Sequence, residues 1–163
     1  MKTAITNTKL LRTKLLRVAF YQPDIPQNAG SALRLCAGLD VGLDIIGPCG
    51  FLMDDRKLKR VAMDYIELAD RQVFSSWDNF LENRSGHRLV LMTTKTDKSY
   101  TDFAFQEGDI LLAGSEGDGV PQAVHEYCDE RITIKLNPKA RSLNVVNATA
   151  MILGEALRQL NKV

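Results

Sequence analysis

From residue 17 onward, short unbroken apolar runs alternate with longer stretches whose apolar positions recur every three or four residues. Val18-Ala19-Phe20-Tyr21, Leu43-Asp44-Ile45-Ile46, Leu89-Val90-Leu91-Met92, Ile110-Leu111-Leu112-Ala113 and Ile132-Thr133-Ile134 are too short for helices and read as buried strands. Ile66-Glu67-Leu68 is expected to be a further short strand. Helical spacing predicts a helix over 27–39 with Ala32, Leu33, Leu35, Cys36 and Leu39 inward, a basic helix over 54–62 and another over 76–83. Pro121 opens a short helix, and a closing helix turns Val146, Ala150, Ile152, Leu153, Ala156, Leu157 and Leu160 inward. Strands without polar alternation are covered on both sides. The prediction is therefore an α/β fold, a mostly parallel sheet with helices on both faces. No repeat or Pro/Ser-rich linker divides it, so 17–163 reads as a single domain after a leader of residues 1–16.

Composition narrows the picture. The 163 residues are 45% hydrophobic and 25% charged, which fits a folded globular chain and not a disordered one. Twenty-one basic and 20 acidic residues nearly cancel, so any contact with a polyanion has to come from a local patch. Cys36, Cys49 and Cys128 form no C-x-x-C pair, which suits reduced thiols in a cytoplasmic protein. His87 and His125 are isolated, so no metal constellation is expected. No apolar run approaches the ~18 residues of a membrane span. The leader carries Lys2, Lys9, Arg12 and Lys14 without an acid and lacks the apolar stretch of a secretion signal. It is read as a frayed basic segment, with RNA contact as the alternative.

In parallel α/β sheets ligands bind beyond the carboxyl ends of the strands. Gly114-Ser115-Glu116-Gly117-Asp118-Gly119-Val120-Pro121 follows one strand; its glycines either let a ligand approach the main chain or simply make a turn. It matches neither a dinucleotide-binding fingerprint nor a phosphate-binding loop. Asn28-Ala29-Gly30-Ser31-Ala32-Leu33-Arg34 opens the first helix, with Arg34 one turn beyond Gly30 and room left by Gly30 and Ala32. Arg141-Ser142-Leu143-Asn144 precedes the closing helix, where Ser142 is expected to be the N-cap.

Taken together, Asn28-x-Gly30-x-x-x-Arg34, Gly114-x-Glu116-x-x-Gly119-Val120-Pro121 and Ser142-Leu143-Asn144-x-x-Asn147-Ala148 resemble, in order and separation, the three motifs of the SPOUT superfamily of methyltransferases, TrmH class. Tyr21 to Asn28, Arg34-Leu35-Cys36-Ala37, Gly50-Phe51, Asp54-Asp55, Asp64-Tyr65 and Thr93-Thr94-Lys95 are similar to its minimal TrmL-type members, which methylate the ribose 2′-hydroxyl of the tRNA wobble nucleotide, cytidine or uridine. Val120, Asp118 and Val146 depart from the usual pattern.

The resemblance implies a deep trefoil knot, a homodimer, a tRNA anticodon stem-loop as partner and S-adenosylmethionine as cofactor, with no metal. It implies that Met92, Gly114, Glu116, Ile134, Ser142 and Leu143 surround the cofactor, and that Arg34, Ser142 and Asn144 serve catalysis. Asn28 is assigned to the substrate, together with Arg56, Lys59 and Arg60, which share one face of the basic helix. Another tRNA or rRNA nucleotide, or a non-catalytic knotted RNA-binding protein, are the competing readings. A nucleotide-dependent oxidoreductase lacks its glycine fingerprint after the first strand, and a serine hydrolase lacks G-x-S-x-G.

Overall fold

The computed structural model describes residues 16–163. The leader, apart from Leu16, lies outside the described residues; Leu16 itself is buried in the core. β1 (Arg17–Tyr21) leads into α1 (Pro26–Gly38), β2 (Gly42–Ile46), α2 (Arg56–Ala62) and the single turn α3 (Tyr65–Leu68). β3 (Arg71–Phe74), α4 (Trp77–Asn83) and β4 (Leu89–Met92) follow, then β5 (Ile110–Ala113), α5 (Gln122–Tyr127), β6 (Glu130–Ile132) and α6 (Val145–Gln159). The six strands form one sheet in the order β3-β2-β1-β5-β4-β6, and every pairing is parallel.

Strand residues alternate between two cores. Val18, Phe20, Leu43, Ile45, Leu111 and Ala113 pack with Ala29, Leu33 and Cys36 of α1 and Ile152, Leu153 and Ala156 of α6. Ala19, Tyr21, Ile46, Leu89, Leu91, Ile110 and Leu112 pack instead with Phe80 of α4 and Val124 of α5. Both faces are thus covered, and the apolar runs need no polar alternation. α2 crosses α1 so closely that a Cβ on Gly30 would stand 2.5 Å from the Leu58 carbonyl oxygen. The space at Gly30 therefore serves helix packing and is not open to a ligand.

Two expected strands change. Residues 66–68 form a helical turn with Leu68 exposed, and the strand comes later, at Arg71–Phe74. That edge strand is polar and mostly exposed, so it carries no apolar run. The last strand ends at Ile132, because its partner β4 ends opposite it at Met92. Leu39 caps α1 at the surface and does not face inward. Among the described residues, no helix is long and apolar enough to cross a membrane.

Candidate active site

The carboxyl ends of β4, β5 and β6 open into a cleft of about 570 Å³. This is within the usual ~300–1,000 Å³ of small-molecule sites. Met92 to Lys95 line it after β4, Gly114 to Val120 after β5, and Ile132 to Ile134 with Leu136 after β6. Ser142 to Val145 and Ala148, Thr149 and Ile152 of α6 form another wall, with Ile25 and Asn28 from the start of α1. Met92, Gly114, Glu116, Ile134, Ser142, Leu143, Asn144 and Asn28, all expected at the site, are thus brought together.

The loop after β5 is closed by its own backbone. Ser115 and Gly119 exchange hydrogen bonds, Ser115 N–H to Gly119 O at 2.9 Å and Gly119 N–H to Ser115 O at 3.0 Å. Gly119 holds φ at +67°, where a side chain is strained. Gly114 is required for a different reason: a Cβ there would meet the Gly119 backbone at 2.6 Å.

A polar relay joins the three motifs. Glu116 Oε2 accepts the Asp24 N–H at 2.8 Å, and Glu116 Oε1 accepts from Asn28 Nδ2 at 3.1 Å. Asn28 Oδ1 in turn accepts from Asn144 Nδ2 at 3.2 Å. Asn144 Oδ1 then accepts the Val146 and Asn147 N–H groups at 2.9 and 3.2 Å, which makes Asn144 the N-cap of α6. Ser142 is therefore not the cap: it lies exposed two residues upstream, along the cleft wall. The helix starts where a side-chain oxygen can reach its free N–H groups, and Asn144 occupies that position. Each amide NH₂ carries two hydrogens and spends one here, so Asn28 and Asn144 each keep a donor for a ligand. Burial pushes the half-buried Cys49 thiol upward, helped by the carboxylates of Asp24 and Glu116.

Arg34 does not line the cleft. Its guanidinium lies over the Tyr65 ring, 5.4 Å from the centroid, with Nη1 3.6 Å from the Met63 sulfur. Arg34 is thus grouped with α2 and α3. On α2, Leu58 is buried and Arg56, Lys59 and Arg60 are exposed, while Asp55 caps the helix by accepting the Lys57 N–H at 2.7 Å. Sequence reasoning missed Thr149, a fully buried hydroxyl that donates to Val145 O at 2.7 Å and lines the cleft. A polar residue within the apolar stripe of α6 was the signal for it. His125 also lines the cleft, and nothing in its spacing marks it. No group of three His, Cys, Asp or Glu able to hold a metal occurs among the described residues.

The model of the SpoU rRNA methylase family matches residues 15–154. A tRNA (cytidine(34)-2′-O)-methyltransferase of Beijerinckia indica is 51% identical over 149 residues, which are 88% of this chain and 91% of that protein. A solved structure presented as structural insights into the 2-OH methylation of C/U34 on tRNA superposes with a TM-score of 0.87 at 36% identity, over 93% of this chain and 99% of the other. The SpoU methyltransferase AviRb from Streptomyces viridochromogenes, in complex with the cofactor AdoMet, is similar at a TM-score of 0.82 and 29% identity, over 92% of this chain and 62% of that one.

Proposed function

The chain belongs to the SpoU rRNA methylase family, and we propose that it transfers a methyl group from S-adenosylmethionine to the ribose 2′-hydroxyl of nucleotide 34 of tRNA, in the cytoplasm. The observation that carries this reading is the relay from Glu116 through Asn28 to Asn144, which draws the three motif loops together around one cleft. The cleft fits the cofactor by size, by its glycine-bounded loop and by backbone groups at three strand ends. Met92, Gly114, Ile134, Ser142 and Leu143 would hold it, with Glu116 acting through the loop it anchors. The family's trefoil knot, formed by the chain leading into α6, belongs to the same reading.

When bound, S-adenosylmethionine would supply an electrophilic methyl on a sulfonium; the ribose oxygen would take it as the carbon–sulfur bond breaks, with the hydroxyl proton released to water, so the protein's work is to align that oxygen. Such alignment is worth ~7–11 kcal/mol of barrier. The free N–H groups of Asn28 and Asn144 orient the incoming ribose. The planar fork of N–H donors on Arg34 stabilises the neighbouring phosphate or the developing alkoxide. Its place outside the cleft wall suits a contact with RNA and not with the cofactor. Arg34→Ala should therefore abolish transfer while S-adenosylhomocysteine binds as before, and Lys should rescue poorly for want of the planar fork. A parallel loss of affinity in calorimetry would move Arg34 into the cofactor site.

The exposed Ile25 and Leu39 at the ends of α1 and Met151 on α6 support an isologous homodimer through the first and closing helices. Light scattering should give twice the mass of the chain; a monomer at all concentrations would refute it. The function is tested by incubating unmodified tRNA with the protein and S-adenosylmethionine, then sequencing its ribonuclease fragments by mass spectrometry. A 2′-O-methyl group at nucleotide 34 is expected. Methylation at another nucleotide, or none, would overturn the assignment.

A further inference from the structure

The cleft's outer rim on the β4–β6 side is built from two segments that backbone hydrogen bonds stitch side by side. Thr93 N–H donates to Ile132 O, Thr133 N–H to Lys98 O and Tyr100 N–H to Thr133 O, each at 2.9 Å. Ser99 and Thr133 form a parallel bridge between them. The segments following β4 and β6 therefore leave the sheet together, and both reach the cleft, through Lys95 from one and Leu136, Ser142 and Leu143 from the other.

Their charge is one-sided. The first segment contributes Lys95, Asp97 and Lys98; the second contributes Lys135, Lys139 and Arg141 and has no acid between residues 133 and 144. Lys98 is neutralised by Glu130 at 3.0 Å. Lys95, Lys135, Lys139 and Arg141 are exposed, and none forms an ion pair among the described residues. The tip of the second segment is also a defined turn: Ala140 N–H donates to Asn137 O at 2.8 Å and Lys139 N–H to Asn137 Oδ1 at 2.9 Å. On a chain of net charge +1, this concentration of uncompensated cations needs an account.

We propose that Lys135, Lys139 and Arg141 form a collar, continued by Lys95, that holds the backbone phosphates of the RNA strand flanking the nucleotide in the cleft. The proposal rests on the reading of the cleft as a tRNA methylation site. A ribose that enters a pocket brings a phosphate on each side to the pocket mouth, whatever the bases are. Cations at the mouth meet those phosphates directly, giving affinity without sequence choice. Lys135 and Arg141 adjoin the lining residues Ile134, Leu136 and Ser142 in the chain, whereas no residue of α2 lines the cleft, so the α2 face reaches RNA only further out. It also carries the flanking acids Asp54 and Asp55, whereas the segment that bears Lys135, Lys139 and Arg141 has none. The collar is thus the inner grip and α2 at most an outer one.

The test compares three proteins: wild type, Lys135→Gln/Lys139→Gln/Arg141→Gln, and Arg56→Gln/Lys59→Gln/Arg60→Gln. Binding of an unmodified tRNA transcript is measured by filter retention over a salt series, beside steady-state methylation and S-adenosylhomocysteine calorimetry. Losing three phosphate contacts should flatten the log–log salt slope by about 2, taking about 0.7 per contact on a single strand. Over a roughly fourfold rise in salt, wild type should then lose on the order of tenfold more affinity than the collar variant. KM for tRNA should rise in the collar variant, with S-adenosylhomocysteine affinity unchanged. Lys135→Arg/Lys139→Arg, which keeps the charge, should behave as wild type. An unchanged slope and KM in the collar variant overturns the proposal, as does a slope lost wholly in the α2 variant. Wild-type protein that binds and methylates no tRNA would remove the underlying functional reading, and the collar with it.

Discussion

Two polar networks sit at opposite ends of the same sheet, and they are built on opposite principles. At the amino end, Asp44 is fully buried and accepts from Arg17 at 2.7 Å and from Arg84 at 2.7 Å. Arg17 also reaches Asp70 at 2.9 Å and Arg84 reaches Gln72 at 3.1 Å. Gly42 makes way for it, since a Cβ there would lie 2.2 Å from the Arg17 guanidinium. At the carboxyl end, Glu116, Asn28 and Asn144 are half-buried or exposed, and both amides keep a donor in hand. The first network is closed to any newcomer. The second holds its members in place and leaves hydrogen-bonding capacity facing a cleft. Hydrogen-bond saturation thus separates structural polarity from functional polarity better than polarity itself does.

The sharpest way to break this contrast is at Asp44. Asp44→Ala leaves two buried guanidinium groups short of their shared partner, a situation that costs about 3–5 kcal/mol. Urea unfolding should register that loss, and a change below about 1 kcal/mol would show that the cluster is not closed as described. Glu116→Gln probes the other network. The substituted amide offers one acceptor where Asp24 N–H and Asn28 Nδ2 need two. Methyl transfer should fall about tenfold, equivalent to ~1.4 kcal/mol. Unfolding free energy should stay within about 1 kcal/mol of wild type. Equal losses of stability and rate would erase the distinction.

Asn144→Ala lies between the two, since this residue both caps α6 and belongs to the relay. About 1 kcal/mol of stability should go with the cap. Asn144→Asp keeps the capping oxygen and removes the N–H that reaches Asn28, so it should recover the stability but not the rate. Recovery of both would reduce Asn144 to a cap. The smallest effect concerns the thiols. Burial pushes Cys36 up to about 12 and Cys128 up to about 11, so neither forms thiolate near neutral pH. A thiol-reactive dye should label native protein at Cys49 alone and slowly, reaching all three only in denaturant.

The core strands and the long helices were legible because burial on both faces writes itself as unbroken apolar runs and three-to-four spacing. β3 was not, because an edge strand with exposed Arg71 and Val73 obeys no burial pattern. The end of β6 escaped for another reason: where β4 stops is a property of the pair, and neither strand's sequence states it. At the site, glycine and Ser/Asn patterns brought the right loops together. They could not show that Gly30 serves the α1–α2 crossing or that Asn144 rather than Ser142 caps the helix. Both follow from which backbone atoms come within reach after folding.

The relay's bonds join residues separated by 88, 92 and 116 positions. Contacts of such span form late, after most of the chain's freedom has been surrendered. A partly folded chain therefore has no cleft, and a ligand of the cleft binds only the complete fold. Occupancy and global stability are then one equilibrium: at about a hundredfold excess over Kd, ligand should add roughly 2.7 kcal/mol to the unfolding free energy of the entire chain. The melting temperature of this protein thus doubles as a gauge of its ligand supply, with the last helix as the part that completes the circuit.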